Sequence, residues 1–194
     1  MFKQAHRLEI ILPDWLGAFA QGYASTADLT KRMEFVIAAA RMNVVEKSGG
    51  PFAAAIFESD SGNLVALGVN LVTGQGLSIL HAEIVAIALA QRKLGGYDLG
   101  GRAMPSHDLF ASTEPCAMCL GAIPWSGVRR LVTAACDEDA RAIGFDEGDK
   151  PDDWVASLVG RGIETITSVG RRQAAEVLRF YADGLGVIYN AREG

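Results

Sequence analysis

The sequence predicts an α/β fold: three layers, with helices on both faces of a central five-stranded mixed sheet. Three observations carry this. Segment order is a helix, a β-hairpin, then alternating helices and strands. Apolar residues make up 49% and charged residues 21% of 194, which suits a soluble domain with its own core. No repeat, low-complexity tract or linker divides the chain. Two units are therefore expected: an N-terminal extension over 1–24 without clear periodicity, and one domain over 25–194.

The elements follow in order. Ser25-Thr26-Ala27-Asp28 supplies helix-capping residues, and Leu29, Met33, Val36, Ala40 and Val44 recur at helical spacing. Gly49-Gly50-Pro51 stops that helix. Phe52–Phe57 and Leu64–Val72 are β-compatible, and the turn sequence Glu58–Asn63 between them makes a hairpin. Thr73–Ser78 reads as a glycine-rich loop. It leads into a helix over His81–Leu94, apolar on nearly every side and so buried. Asp108–Ser112 is a short strand. Pro115 then opens a helix at its favoured first position, running to Trp125. Arg130–Ala135 is a strand, Asp137–Asp153 acidic and irregular, and Trp154–Val159 helical. Ile163–Ser168 completes the five strands, and Arg171–Ala182 is the last helix.

Composition excludes some functions. The formal charge is −5, whereas nucleic-acid surfaces are normally basic. Arg171, Arg172, Arg179 and Arg192 near the end are offset by Glu176, Asp183 and Glu193. Three cysteines do not make a disulfide framework and point to a reducing compartment, so the expected location is cytoplasmic. Pro13 and Asp14 interrupt the first apolar stretch, which spoils a signal peptide. The longest uncharged run, Gly62–Leu80, is too polar to span a membrane.

Chemistry concentrates in His81-Ala82-Glu83 and Pro115-Cys116-Ala117-Met118-Cys119. Each begins a helix, where side chains reach past the helix end. Cys116 and Cys119 are three apart and share a face. Positive helix ends favour thiolates, the metal-binding form. One His and two Cys suit zinc, one ion per chain. An open fourth position would hold water, whose pKa on zinc falls to roughly 7. Glu83 is placed to carry protons for that water. A closed structural site with Cys136 as fourth ligand is the alternative, though Cys136 ends an apolar strand and reads as a small core residue. The two segments in this order match the signature of zinc nucleobase deaminases.

With these residues the chain resembles the cytidine-deaminase-like superfamily of zinc hydrolases over residues 28–190. Gly49-Gly50-Pro51-Phe52, Ser112-Thr113-Glu114-Pro115-Cys116, Trp125 and Ile143-Gly144-Phe145-Asp146-Glu147-Gly148 look like the corresponding segments of bacterial guanine deaminases. Gly186–Ala191 looks like the C-terminal active-site cover of a subgroup that also accepts ammeline. The resemblance implies zinc on His81, Cys116 and Cys119, and Glu83 as proton shuttle. Asn70 and the Ala82 N–H would bond the ring, and Phe52 and Trp125 would sandwich it. Glu147, where a shorter aspartate is familiar, would grip the amidine-like edge and act as a second shuttle. Tyr189 would close the lid. The implied function is hydrolysis of guanine to xanthine and ammonia in purine catabolism, with a nucleobase as partner rather than nucleic acid or membrane. It further implies a homodimer, with the C-terminal segment exchanged as one arrangement. Deamination of ammeline, cytosine, a nucleoside or tRNA adenosine, or a non-catalytic zinc module, are the alternatives.

Overall fold

Asp28 starts the first long helix of the computed structural model, which describes residues 2–191; its carboxylate accepts from the N–H groups of Thr30 and Lys31. Arg192 and Glu193, weighed above for charge, lie outside the described residues. In chain order the elements are α1 (Asp14–Gln21), α2 (Leu29–Val45), β1 (Ala53–Glu58), β2 (Leu64–Val69), α3 (Val72–Gln75), α4 (Ala82–Leu94) and β3 (His107–Thr113). There follow α5 (Ala117–Ser126), β4 (Arg130–Ala135), α6 (Asp137–Arg141), α7 (Trp154–Val159), β5 (Glu164–Ile166) and α8 (Arg171–Asp183).

The five strands run in the order β2-β1-β3-β4-β5. β1 pairs antiparallel with β2 and β3, whereas β3, β4 and β5 are parallel, so the sheet is mixed as expected. Successive strand residues face opposite ways. Ala53, Ala55 and Phe57 therefore join one core with α2 and α8, while Ala54 and Ile56 join the other with α4, α5 and α7.

Four local expectations are corrected. The segment over 1–24 contains α1: Leu16 is buried, and Trp15 and Phe19 pack on the first core through Phe35. β2 stops at Val69 because Asn70 Oδ1 accepts from the Val72 N–H, turning the chain into the one-turn helix α3 instead of a loop. Pro115 precedes the N-cap Cys116 rather than opening α5. Finally, α6 interrupts the acidic stretch. The Asp139 carboxylate accepts from the N–H of its N-cap Cys136, and acidic residues suit a helix N-terminus.

At the end of β3 remote from Thr113, a cation is enclosed. Arg32 is 1% exposed and pairs with equally buried Asp108 at 3.3 Å. It also donates to the Thr26 carbonyl at 2.7 Å and the Ser59 carbonyl at 3.1 Å, and lies over the Phe57 and Phe110 rings. Asp108 is completed by Ser59 Oγ at 2.6 Å and Arg130 at 3.1 Å.

Candidate active site

The parallel strands β3 and β4 end beside a cavity of about 650 Å³. Ligand sites of α/β sheets form at such strand ends. His81 is the N-cap of α4, which places Glu83 in that helix's first turn. Cys116 is the N-cap of α5 and Cys119 lies one turn on. Two helix N-termini thus converge, so His81, Glu83 and Cys116 border one cavity.

The ligand atoms of His81, Cys116 and Cys119 all lie within 4.8 Å of one another, and His81 Nδ1 is 3.4 Å from Cys116 Sγ. A tetrahedral zinc site spaces nitrogen and sulfur ligands by roughly 3.5–3.8 Å, so the donor set fits zinc in both chemistry and size. The thiol of Cys119 bonds Cys116 and, against the opposing effect of burial and with help from His81, holds Cys116 down at about 4. It is therefore a thiolate at neutral pH, the form that binds metal. The same bond, with burial, pushes Cys119 up. Burial pulls His81 down, but Cys116 and the carboxylates of Glu83 and Glu147 outweigh it, so the net shift is upward. Among the described residues this is the group able to hold a metal; Cys136 is not in it. Burial and the nearby acidic groups of α6 push the Cys136 thiol up to about 12, and it donates to Asp139 instead.

Four carboxyl groups line the cavity, of which Glu114 and Asp146 are the more accessible and two are buried. Glu83 is 8% exposed and Glu147 6%. Burial, then the Cys116 thiolate, raises Glu83. Burial, with Cys116 and Glu83, pushes Glu147 up to about 8, opposed by Lys150. The loop carrying Glu147 is tied down on several sides. Ala117 N–H donates to the Glu147 carbonyl at 2.9 Å, and Arg141 donates to the Gly148 carbonyl at 2.9 Å. Lys150 reaches Asp137 at 2.5 Å.

Asn70 is fully buried and borders the cavity. Its Oδ1 accepts from the N–H groups of Gly50 and Val72, both at 3.3 Å. Its Nδ2 donates to the Tyr189 hydroxyl at 2.6 Å. Asn190 side-chain bonds to the Asp146 N–H and Gly144 carbonyl dock the C-terminal segment on the Glu147 loop. Phe52 also borders the cavity, its ring 5.0 Å from Phe145. Ala82 is the first residue of α4, so its N–H is one of the donors left without a partner inside the helix.

Trp125 is not brought to this cavity: it is 84% exposed, on α5. Six residues beyond Cys119 is 600° of helix, or 120° away from the buried face. That face is Cys119, Ile123 and Ser126, whereas Trp125 shares an outer stripe with Met118, Gly121 and Ala122. Wall residues that the sequence reading did not single out include Val72, Thr73, Gly76 and Ser78 around α3, Ala53 and Ala111 on the strands, and Phe145. Phe145 stood inside a quoted motif; the α3 wall carried no signal beyond its glycines.

Residues 26–135 match the family described as the cytidine and deoxycytidylate deaminase zinc-binding region. A guanine deaminase of Bacillus subtilis (strain 168) is 41% identical over 99 residues, 51% of this chain and 59% of that protein. A tRNA-specific adenosine deaminase of Haemophilus influenzae is 36% identical over 90 residues, 46% of this chain and 49% of that protein. The chain thus spans about half the length of these curated relatives. A solved structure described as guanine deaminase from Nitrosomonas europaea superposes with a TM-score of 0.88 at 43% identity, covering 94% of this chain and 100% of that one.

Proposed function

We propose that this chain, which belongs to the cytidine and deoxycytidylate deaminase family, is a zinc-dependent aminohydrolase that converts guanine to xanthine and ammonia. The carrying observation is the second buried carboxyl, Glu147, in the cavity that holds Glu83 and the metal ligands. Guanine presents ring N–H and amino donors along one edge, and a carboxyl group accepts from both in its ionised form, which the charge of bound zinc would favour against the burial that raises Glu147. Cytosine and adenine give less reason for such a group. Likeness to the Nitrosomonas europaea enzyme over nearly the whole chain supports the same substrate.

His81, Cys116 and Cys119 hold the zinc in this reading. Zinc, when bound, lowers the pKa of water to roughly 7 and makes it nucleophilic at neutral pH. Glu83 takes a proton from the attacking water and delivers it to the neighbouring ring nitrogen. It then takes the second proton of that water, from the oxygen now bonded to the ring carbon, and passes it to the amino group, which departs as ammonia as the C–N bond breaks and the C=O bond forms. Glu147 accepts from the donor edge and serves as the second proton carrier. Asn70 Nδ2 and the Ala82 N–H donate to ring acceptors. Phe52 and Phe145 supply an aromatic wall for a flat base. Tyr189, already over the cavity, excludes water when substrate is bound.

Residues 25–194 form the deaminase unit in this reading, with 1–24 as an extension docked on it. The three free cysteines fit a reducing, cytoplasmic setting, and purine catabolism is the role a free-base substrate implies. No helix among the described residues is long and apolar enough to cross a membrane. The exposed apolar stripe of α5 supports a homodimer formed through that face. The C-terminal segment beyond α8 is what two copies would exchange.

Ammonia release measured over guanine, ammeline, cytosine, adenine and guanosine tests the substrate. Guanine is expected to be turned over fastest. Turnover of another compound with none of guanine overturns the reading.

A further inference from the structure

The cavity wall around α3 is not self-supporting. A four-residue helix is far below the length that is stable alone. Yet Val72, Thr73, Gly76 and Ser78 from this turn and its flank all face the cavity. Their support comes from a remote part of the chain. Gln75 does not border the cavity; its side chain makes a two-point bond to the backbone of Ile11. Gln75 Oε1 accepts from the Ile11 N–H at 3.2 Å, and Gln75 Nε2 donates to the Ile11 carbonyl at 2.6 Å. This is the pairing a neighbouring strand would offer, made by one amide side chain.

A second contact anchors the same segment. Trp15 Nε1 donates to Ser48 Oγ at 2.9 Å. Ser48 is also the residue against which α3 leans: a Cβ at Gly74 would lie 2.7 Å from the Ser48 carbonyl oxygen. Ile10 and Leu12, either side of Ile11, pack on the first core. The N-terminal segment thus grips the core with its side chains and holds α3 by its backbone. Residues before 26 lie outside the matched family region.

We propose that Gln75 is a positioning residue, through which the N-terminal segment holds the α3 wall in the shape that binds substrate. Substrate binding here rests on the deaminase reading above; the mechanical link does not. Gln75 is half-exposed and its bonds to Ile11 are at the surface, so an ordinary surface role predicts no change in binding when they are lost.

The test compares full-length wild type with Gln75→Ala and Gln75→Glu. Hydrogen exchange of the Val72, Gln75 and Gly76 amides is read without substrate. The amides of α4 serve as the control. Expected is threefold to tenfold faster exchange in Gln75→Ala. Gln75→Glu, which keeps the acceptor for the Ile11 N–H, should fall in between. KM for whichever base the wild type turns over fastest should rise at least threefold in Gln75→Ala. Both kcat (within twofold) and zinc content should be unchanged. Unaltered exchange at these amides, or unaltered KM, overturns the proposal. A wild type silent on guanine overturns the substrate reading alone, since the exchange measurement needs no turnover.

Discussion

Replacing Arg32 by Met should unfold the protein far more easily while leaving its chemistry intact. Methionine keeps an apolar stem over Phe57 and Phe110 but removes the charge. Asp108, 1% exposed, then loses one of two cationic partners and keeps Arg130 and Ser59. Breaking a buried ion pair by deleting one partner costs about 3–5 kcal/mol. The retained Arg130 contact argues for the lower part of that range. The carbonyls of Thr26 and Ser59 also lose donors, at about 1 kcal/mol each. The sum is about 5–6 kcal/mol, a large share of the roughly 5–15 kcal/mol a domain possesses. For a chain of this size that lowers Tm by roughly 10–24 °C. Urea titration of zinc-loaded protein gives the free energy, and scanning calorimetry gives Tm. The double variant Arg32→Met, Asp108→Asn should recover part of the loss, because the buried carboxylate that is one partner short in the single variant no longer carries a charge. Asp108 lies five residues along β3 from Thr113, about 17 Å at strand rise, so kcat per zinc should match wild type. A loss below 1 kcal/mol, or a double variant worse than the sum of the singles, would refute the reasoning.

Three further outcomes are expected. Glu83→Gln should retain zinc by metal analysis while turnover falls about 100- to 10,000-fold; near-normal turnover removes Glu83 as proton carrier. Arg171 holds the Asp139 carboxyl down at about 2, against an ordinary value near 3.9. A depressed folded-state pKa contributes stability that is full above the ordinary value and is lost as pH falls through about 2. The stability difference between wild type and Arg171→Ala should therefore shrink as pH drops from about 5 toward 2, and a difference that grows contradicts the pairing. The proposed homodimer should appear in sedimentation of the wild type and give way to monomer in Trp125→Glu without loss of helix signal; an unchanged dimer excludes the α5 face, and a monomeric wild type excludes the dimer.

The layers and the metal ligands were legible for different reasons. α2, α4 and α8 are long enough for periodicity to show, and β1 and β2 carry nearly unbroken apolar runs. His81, Cys116 and Cys119 announce themselves because few side chains bind zinc and their spacing at helix starts is restrictive. α1 and α3 did not show because short helices depend on what they pack against: Phe19 meets Phe35, Trp15 meets Ser48, and Gln75 meets Ile11. The placement of Trp125 was open to correction from the sequence itself. Its offset from Cys119 turns it away from the buried face of α5, whereas its expected place rested on the resemblance alone. Tyr189 reaching Asn70, 119 positions earlier, is a meeting no local pattern encodes.

The Asn70 contacts have a directional consequence. Both groups on its Oδ1 are backbone N–H groups, which only donate. Rotating the amide would set its NH₂ against two donors, so this side chain has a single orientation. Its nitrogen must face the cavity, where it welcomes a carbonyl or bare ring nitrogen and repels an amino group. The Tyr189 oxygen, receiving from that nitrogen, must turn its own hydrogen elsewhere. Two peptide groups in the scaffold thereby fix the polarity of the hydrogen-bond chain that runs through Asn70 to Tyr189.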